Sequence, residues 1–139
     1  MAKEQKSNEQ TYVFSKDDMN QIDYRLLGDK KEEEGEHEEA SFYYQKAIEL
    51  GDNDPYLYLY VGVEKTNPEE EIFYFEKAIE LGAKEAWIYS HTGNLKYQFK
   101  EYKEAKRYLE KAIDLGTDDP DSKNILIKCN YWIKREEHK

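Results

Sequence analysis

Ala47-Ile48-Glu49-Leu50-Gly51 returns as Ala78-Ile79-Glu80-Leu81-Gly82 and again as Ala112-Ile113-Asp114-Leu115-Gly116, at spacings of 31 and then 34 residues. A period in this range marks a chain built from two-helix units that stack on one another. Each phrase reads as the end of a helix, because glycine is the least costly residue in the left-handed conformation that follows a helix C-terminus. Asp54-Pro55 and Asp119-Pro120 lie just beyond two of the phrases. Each pair reads as an N-cap followed by a proline at the first helical position, where a missing N–H costs nothing. Every phrase therefore predicts a helix stop, a tight turn and a new start.

A second set of glycines, Gly28, Gly62 and Gly93, falls inside the units at spacings of 34 and 31, the reverse of the order shown by the phrases. The second unit is thus three residues short between Gly62 and Ala78, and the reading places that loss in the turn around Thr66-Asn67-Pro68. Asn67-Pro68 is a third pair of cap and first helical residue. Working outward, the pattern predicts helices over about 15–33, 36–50, 55–66, 68–81, 85–98, 101–115 and 120–136, the first opened by a capping box of Ser15 and Asp18. Residues 1–14 are expected to be a flexible N-terminal segment and 15–136 a domain with units of about 21–54, 55–85 and 86–119, a capping helix at 120–136 and a tail at 137–139.

The residues at fixed offsets resemble the tetratricopeptide repeat, which carries an aromatic, a Leu-Gly pair, then alanine, an aromatic and alanine. Unit one supplies Tyr24, Leu27-Gly28, Gly35, Ala40, Tyr44 and Ala47. Unit two supplies Tyr58, Val61-Gly62, Phe75 and Ala78, with Glu71 where the first alanine belongs. Unit three supplies Tyr89, Thr92-Gly93, Tyr102, Ala105, Leu109 and Ala112. The resemblance implies an all-α fold, an α-α superhelix of three tetratricopeptide-like helical hairpins plus a C-terminal capping helix. The physical logic holds without the name. Small residues let paired helices approach, large ones fill the gaps between hairpins, and each unit buries its face only against its neighbours. A polar last helix, interrupted by Asp121, Lys123, Asn124 and Lys128, is expected to close the stack.

Composition bounds the partner. The chain of 139 residues has a formal net charge of −10. Nucleic acids are held largely by Lys and Arg on phosphates, and anionic membranes attract basic segments, so neither is expected as a partner. The single cysteine, Cys129, rules out an intramolecular disulfide framework and favours a reducing compartment. The N-terminus MAKEQKSNEQ lacks an apolar core, and no apolar run approaches the ~20 residues that span a bilayer. The expected location is cytoplasmic.

Catalytic signatures are not visible. The sequence has no glycine-rich phosphate loop, no HExxH, no GxSxG and no CxxC. His37, His91 and His138 are isolated in sequence, and Cys129 reads as a small buried hydrophobe. The acidic run from Glu32 to Glu39 lacks the alternating ligands of a calcium loop and falls on a predicted exposed turn. The chain is therefore expected not to be an enzyme and to carry no cofactor and no metal.

The resemblance also implies where a ligand binds, since in this family the first helix of each unit lines the concave surface. Residues facing it recur one, four, five and eight positions after the helix start. These are Ile22, Arg25, Leu26 and Asp29 in unit one, Tyr56, Leu59, Tyr60 and Val63 in unit two, and Trp87, Ser90, His91 and Asn94 in unit three, with Tyr97 a turn further. In the capping helix they are Asp121, Asn124, Ile125 and Lys128, followed by Tyr131. The helix starting at Pro55 is apolar on both faces, with Tyr58 and Val61 toward the core, so it needs cover on every side. The expected peptide-binding set is Tyr56, Leu59, Tyr60, Val63, Trp87, His91, Asn94 and Tyr97.

One ligand class of the family is the acidic C-terminal tail of the large heat-shock chaperones, held by a clamp of basic and amide side chains. The matching positions here are Arg25, Asp29, Tyr60, Trp87 and His91, of which only Arg25 suits a carboxylate and Asp29 would repel one. The expected partner is instead a protein or peptide segment that is apolar or amphipathic, with a basic flank compatible with the acidic chain. Other readings stay open. The module could homo-oligomerise through the groove or an end face, so its state is monomer or homodimer. Tyr12 and Phe14 could fold into the groove. An unrecognised enzyme would place His91 beside a carboxylate or Cys129 in a cleft.

Overall fold

The chemistry of the helix ends sets the element order. The computed structural model describes residues 18–139. The described residues form α1 (Gln21–Glu33), α2 (His37–Glu49), α3 (Pro55–Val63), α4 (Pro68–Glu80), α5 (Ala86–Gln98), α6 (Tyr102–Asp114) and α7 (Ser122–Glu137), with no strand among them. The class is all-α, as expected.

The thrice-repeated phrase proves to be one hydrogen-bonding device. The Gly51 N–H donates to the Ile48 carbonyl at 2.9 Å, and the Asp52 N–H to the Ala47 carbonyl at 3.0 Å. Gly82 and Ala83 repeat the pair on Ile79 and Ala78, and Gly116 and Thr117 repeat it on Ile113 and Ala112. Closing both bonds requires a left-handed residue after the cap, and the glycines adopt φ of 103°, 109° and 80°. Two starts are as read from the sequence. The Asp54 carboxylate accepts from the Tyr56 N–H, and the Asn67 side chain accepts from the Glu69 and Glu70 N–H groups, each followed by proline.

Three boundaries differ from expectation. α1 is capped by Asn20, whose side chain accepts from the Ile22 and Asp23 N–H groups while Asp23 accepts from the Asn20 N–H. Met19 and Asn20 are not helical, so no continuous helix runs from Ser15; Ser15 and the N-terminal segment 1–14 lie outside the described residues. α3 stops at Val63, three residues early, and has 9 residues where α1 and α5 have 13. The shortening of the second unit comes largely out of this helix, because Asn67-Pro68 must stay outside it to start α4. α7 begins at Ser122 and not at Pro120. Asp119 spends its side chain on the Asp121 N–H and the Ser122 hydroxyl, which turns the chain once more before the helix opens.

The chain divides into two compact units, one ending at Asn53 and one running from Asp54 to Lys139. In the first, α1 and α2 form a hairpin whose close approach is at Gly28, where a Cβ would run into the Tyr44 ring. The Tyr44 hydroxyl donates to Asp29 at 2.8 Å, and the Arg25 guanidinium grips the buried carboxylate of Asp52 through Nε at 2.8 Å and a second, parallel bond.

In the second unit, α3 pairs with α4, α5 with α6, and α7 packs on α5 and α6. Leu59, Phe75, Ala78, Ala83 and Ile88 form one core cluster. Ala105, Leu109 and Cys129 form another, with Tyr97, Tyr102, Ile125 and Leu126 packed against it. Cys129 is the buried hydrophobe expected, and burial pushes its thiol above the ordinary cysteine value. Between the hairpins stands Lys96. Its ammonium lies 2.7 Å from Glu101, 2.8 Å from Glu104 and 3.6 Å from Glu76, and Glu76 also accepts from the Tyr108 hydroxyl at 2.6 Å.

Candidate functional site

α3 reads Pro55-Tyr56-Leu57-Tyr58-Leu59-Tyr60-Val61-Gly62-Val63, with no charged side chain. Leu57, Leu59 and Val61 are buried, whereas Tyr56, Tyr60 and Val63 are 44%, 42% and 50% exposed. An apolar helix with one uncovered face marks an interaction surface. Here the face is also concave. Tyr56, Leu59, Tyr60 and Val63 meet Trp87 and Glu85, at the start of α5, around an open cavity of about 390 Å³. That is within the range of specific binding pockets, roughly 300–1,000 Å³.

The cavity wall is held from below and from the side. Trp87 leans edge-on against the buried ring of Phe75, centroids 5.9 Å apart, so its indole is fixed while 46% of the residue stays exposed. Gly62 lets α4 come close enough for Phe75 to reach that position; a Cβ at 62 would lie 2.8 Å from two of its ring carbons. The Tyr56 hydroxyl donates to a Glu85 carboxylate oxygen at 2.5 Å, and the Lys84 N–H donates to the other at 3.2 Å. The Tyr56 bond, acting first among several influences, holds the Glu85 carboxyl below its ordinary value. The same bond raises the Tyr56 phenol. At neutral pH Glu85 is therefore an anion and Tyr56 a donor.

Five of the eight expected binding residues come together in this cavity, namely Tyr56, Leu59, Tyr60, Val63 and Trp87. Leu59 is its floor and not an exposed wall, since it also belongs to the core cluster of Phe75 and Ile88. The other three lie elsewhere. The His91 Nε2 sits 2.5 Å from a Glu71 carboxylate oxygen, with its ring 5.0 Å from Phe75. Asn94 is half-buried, and Tyr97 packs with Tyr102 at 5.6 Å on the cluster around Cys129. α5 carries them progressively away from the short α3. Ser90, read as groove-facing, is buried, and its hydroxyl donates to the Trp87 carbonyl.

The carboxylate beside His91 is the one an enzyme reading requires. The partners of His91 are Glu71 and the ring of Phe75, while Cys129 lies in the other core cluster. Glu71 occupies the place of the repeat's first alanine, and pairing with His91 explains that departure. Among the described residues no group of three or more His, Cys, Asp or Glu side chains is arranged to hold a metal. The clamp positions are engaged otherwise too: Arg25 binds Asp52, and Asp29 accepts from Tyr44. Glu85 was missed by sequence reading. Its one signal is a glutamate at an N-cap position, where aspartate, asparagine or serine would cap better, and its side chain indeed makes no cap bond.

α7 also departs from the polar cap expected. Lys123, Asn124 and Lys128 are exposed, but so are Ile127 at 66% and Tyr131 at 53%. Trp132 stacks on Tyr102 at 5.9 Å, and the Arg135 guanidinium lies over the rings of Tyr131 and Trp132.

The family profile Tetratricopeptide repeat matches residues 24–53 and 88–116. No curated protein matches the sequence significantly. Among solved structures, YrrB, described as a tetratricopeptide protein with an unusual peptide-binding site, is 26% identical with a TM-score of 0.63; the match covers 79% of this chain and 58% of that one. The first tetratricopeptide domain of Spaghetti (RPAP3), bound to an HSP90 peptide, is 19% identical with a TM-score of 0.59, over 83% of this chain and 94% of that one. The Yersinia enterocolitica type III secretion chaperone SycD, in complex with a peptide of the translocator YopD, is 19% identical with a TM-score of 0.57, over 78% and 90%. The latter two are likenesses of fold.

Proposed function

The chain carries tetratricopeptide repeats, and from that premise we propose that it is a protein–protein interaction module that binds an apolar or amphipathic polypeptide segment at the cavity between α3 and the start of α5. The observation that carries this reading is the partly exposed aromatic wall of Tyr56, Tyr60 and Trp87 around a cavity of about 390 Å³. Tyr and Trp are the residues most often found as binding hot spots, because they bury large area at small entropic cost. RPAP3 and SycD, which share the fold, were each solved with a bound peptide, which supports a peptide as the class of ligand. An adaptor or chaperone-like role that makes no covalent change in its partner follows from this reading.

Panning of a random peptide library against the wild-type protein and against a Tyr60→Glu/Trp87→Ala variant tests it, with circular dichroism to show both are folded. Leucine- and aromatic-rich peptides enriched on the wild type and lost on the variant support the site. Equal enrichment on both proteins, or none on either, defeats it.

A second reading, self-association through an end face, is favoured by the exposed Ile127 and Tyr131 on α7. It predicts a concentration-dependent dimer in light scattering that Ile127→Lys abolishes. A monomer at every concentration removes it.

A further inference from the structure

We infer that the cavity of α3 and α5 is a seat for one arginine or lysine side chain of the bound segment, with Glu85 as its counter-charge and the rings of Tyr56, Tyr60 and Trp87 as its walls. This rests on the peptide-binding reading above and names the residue that the site selects.

Glu85 is placed for a ligand and not for its own helix. It stands at the N-cap position of α5 yet makes no cap hydrogen bond. Its side chain is instead drawn to the cavity rim by the Tyr56 hydroxyl at 2.5 Å and the Lys84 N–H at 3.2 Å. A carboxylate has about four acceptor sites, so these two donors and its own backbone N–H still leave about one of them to serve a ligand. Among the described residues, no lysine, arginine or histidine forms an ion pair with it. The lining of Tyr56, Leu59, Tyr60, Val63, Glu85 and Trp87 thus holds one negative charge and no positive one.

Charge complementarity then selects the occupant. An apolar side chain pressed into the cavity would strip water from Glu85 without replacing its hydrogen bonds, which is unfavourable. An acidic one would meet a like charge. A cation satisfies Glu85 directly, and its alkyl stem lies along Leu59 and Val63 while its charged head meets ring faces. Aromatic faces attract cations, tryptophan most strongly. The chain's net charge of −10 favours the approach of a basic segment.

The test uses the full chain with Trp132→Phe, which leaves Trp87 as its one tryptophan. Its emission is followed during titration with three twelve-residue peptides, identical except for a central arginine, norleucine or glutamate between leucines. The arginine peptide is expected to bind about five- to tenfold tighter than the norleucine peptide. Adding Glu85→Gln should erase most of that preference, chiefly by weakening the arginine peptide, while Glu85→Asp should keep most of it. Equal affinity for arginine and norleucine overturns the cation seat and leaves the peptide-binding reading standing. No response of Trp87 to any peptide overturns both. Occupancy by a second copy, seen as a dimer that Glu85→Gln no longer forms, overturns the peptide as occupant. So does occupancy by Tyr12 and Phe14, seen as a changed emission of peptide-free Tyr12→Ser/Phe14→Ser protein.

Discussion

At the scale of the residue, left-handed positions decide which side chains are tolerated. Among the described residues, Gly35, Gly51, Gly82 and Gly116 all have positive φ, and so does one non-glycine residue, Lys100 at φ 63°. Its N–H donates to the Tyr97 carbonyl at 2.9 Å, and the Glu101 N–H to Lys96 at 3.0 Å, the same paired closure the glycines make elsewhere. A lysine there is strained by about 1 kcal/mol relative to glycine. Lys100→Gly is therefore expected to raise stability by that amount, read as a higher urea midpoint; an unchanged or lower midpoint would refute the strain. The phrase glycines could be read from sequence because their identity announces the conformation. Lys100 could not, since nothing in its chemistry signals a turn. Glu85 was hidden for a similar reason: its role depends on Tyr56, 29 positions away. Cys129, buried in its cluster with a raised thiol, is expected to stay unreactive toward thiol reagents until the protein unfolds. Labelling of the native protein at the unfolded rate would contradict this.

At the scale of the element, close helix contacts and one buried cation hold the second unit together. Gly62→Ala would drive a Cβ into the fully buried Phe75 and is expected to cost about 1–3 kcal/mol. Because Phe75 also backs Trp87, the same variant should weaken peptide binding, and Phe75→Leu should restore part of the lost stability. Stability equal to wild type would show that the contact relaxes freely. Lys96 behaves differently. Burial works against its charge, but Glu101, Glu104 and Glu76 outweigh it and hold the ammonium above the ordinary lysine value. Its folded-state value being raised, its contribution is fully present below the ordinary lysine value and lost only as pH rises through the folded one. Lys96→Met should thus cost about 2 kcal/mol throughout pH 6–9. A cost near zero, or one that falls away within that window, would contradict the network. Among the described residues, the seven helices were readable in number from the glycine stops and the Asp54-Pro55 and Asn67-Pro68 starts, whereas Asp119-Pro120 makes a further turn before α7. The length of α3 was not, because three missing residues between Gly62 and Ala78 can come from a helix or from a turn, and spacing alone does not separate the two.

At the scale of the whole molecule, the repeat pattern predicted the all-α class and a partly exposed apolar face on α3, and five of the eight named residues share one cavity. Periodicity placed His91, Asn94 and Tyr97 on the same face of α5 as Trp87, but it cannot say how far along a helix its neighbour extends. α3 ends at Val63, so Tyr97 finds Tyr102 instead. Charge is distributed unevenly as well. From Ser122 to the C-terminus the chain has Lys123, Lys128, Lys134, Arg135 and Lys139 against Glu136 and Glu137, so α7 and its tail are basic within an acidic protein. A basic ligand is therefore expected at the cavity and not at α7, and raising salt should weaken it mainly by slowing association. An amide-resolved NMR titration with the arginine peptide locates its contact surface directly. Shifts are expected only at residues 56–63 and 84–91, and are expected to be lost in Tyr60→Glu/Trp87→Ala. Shifts centred on Tyr131 and Trp132, with the α3 amides unmoved, would contradict binding at the cavity.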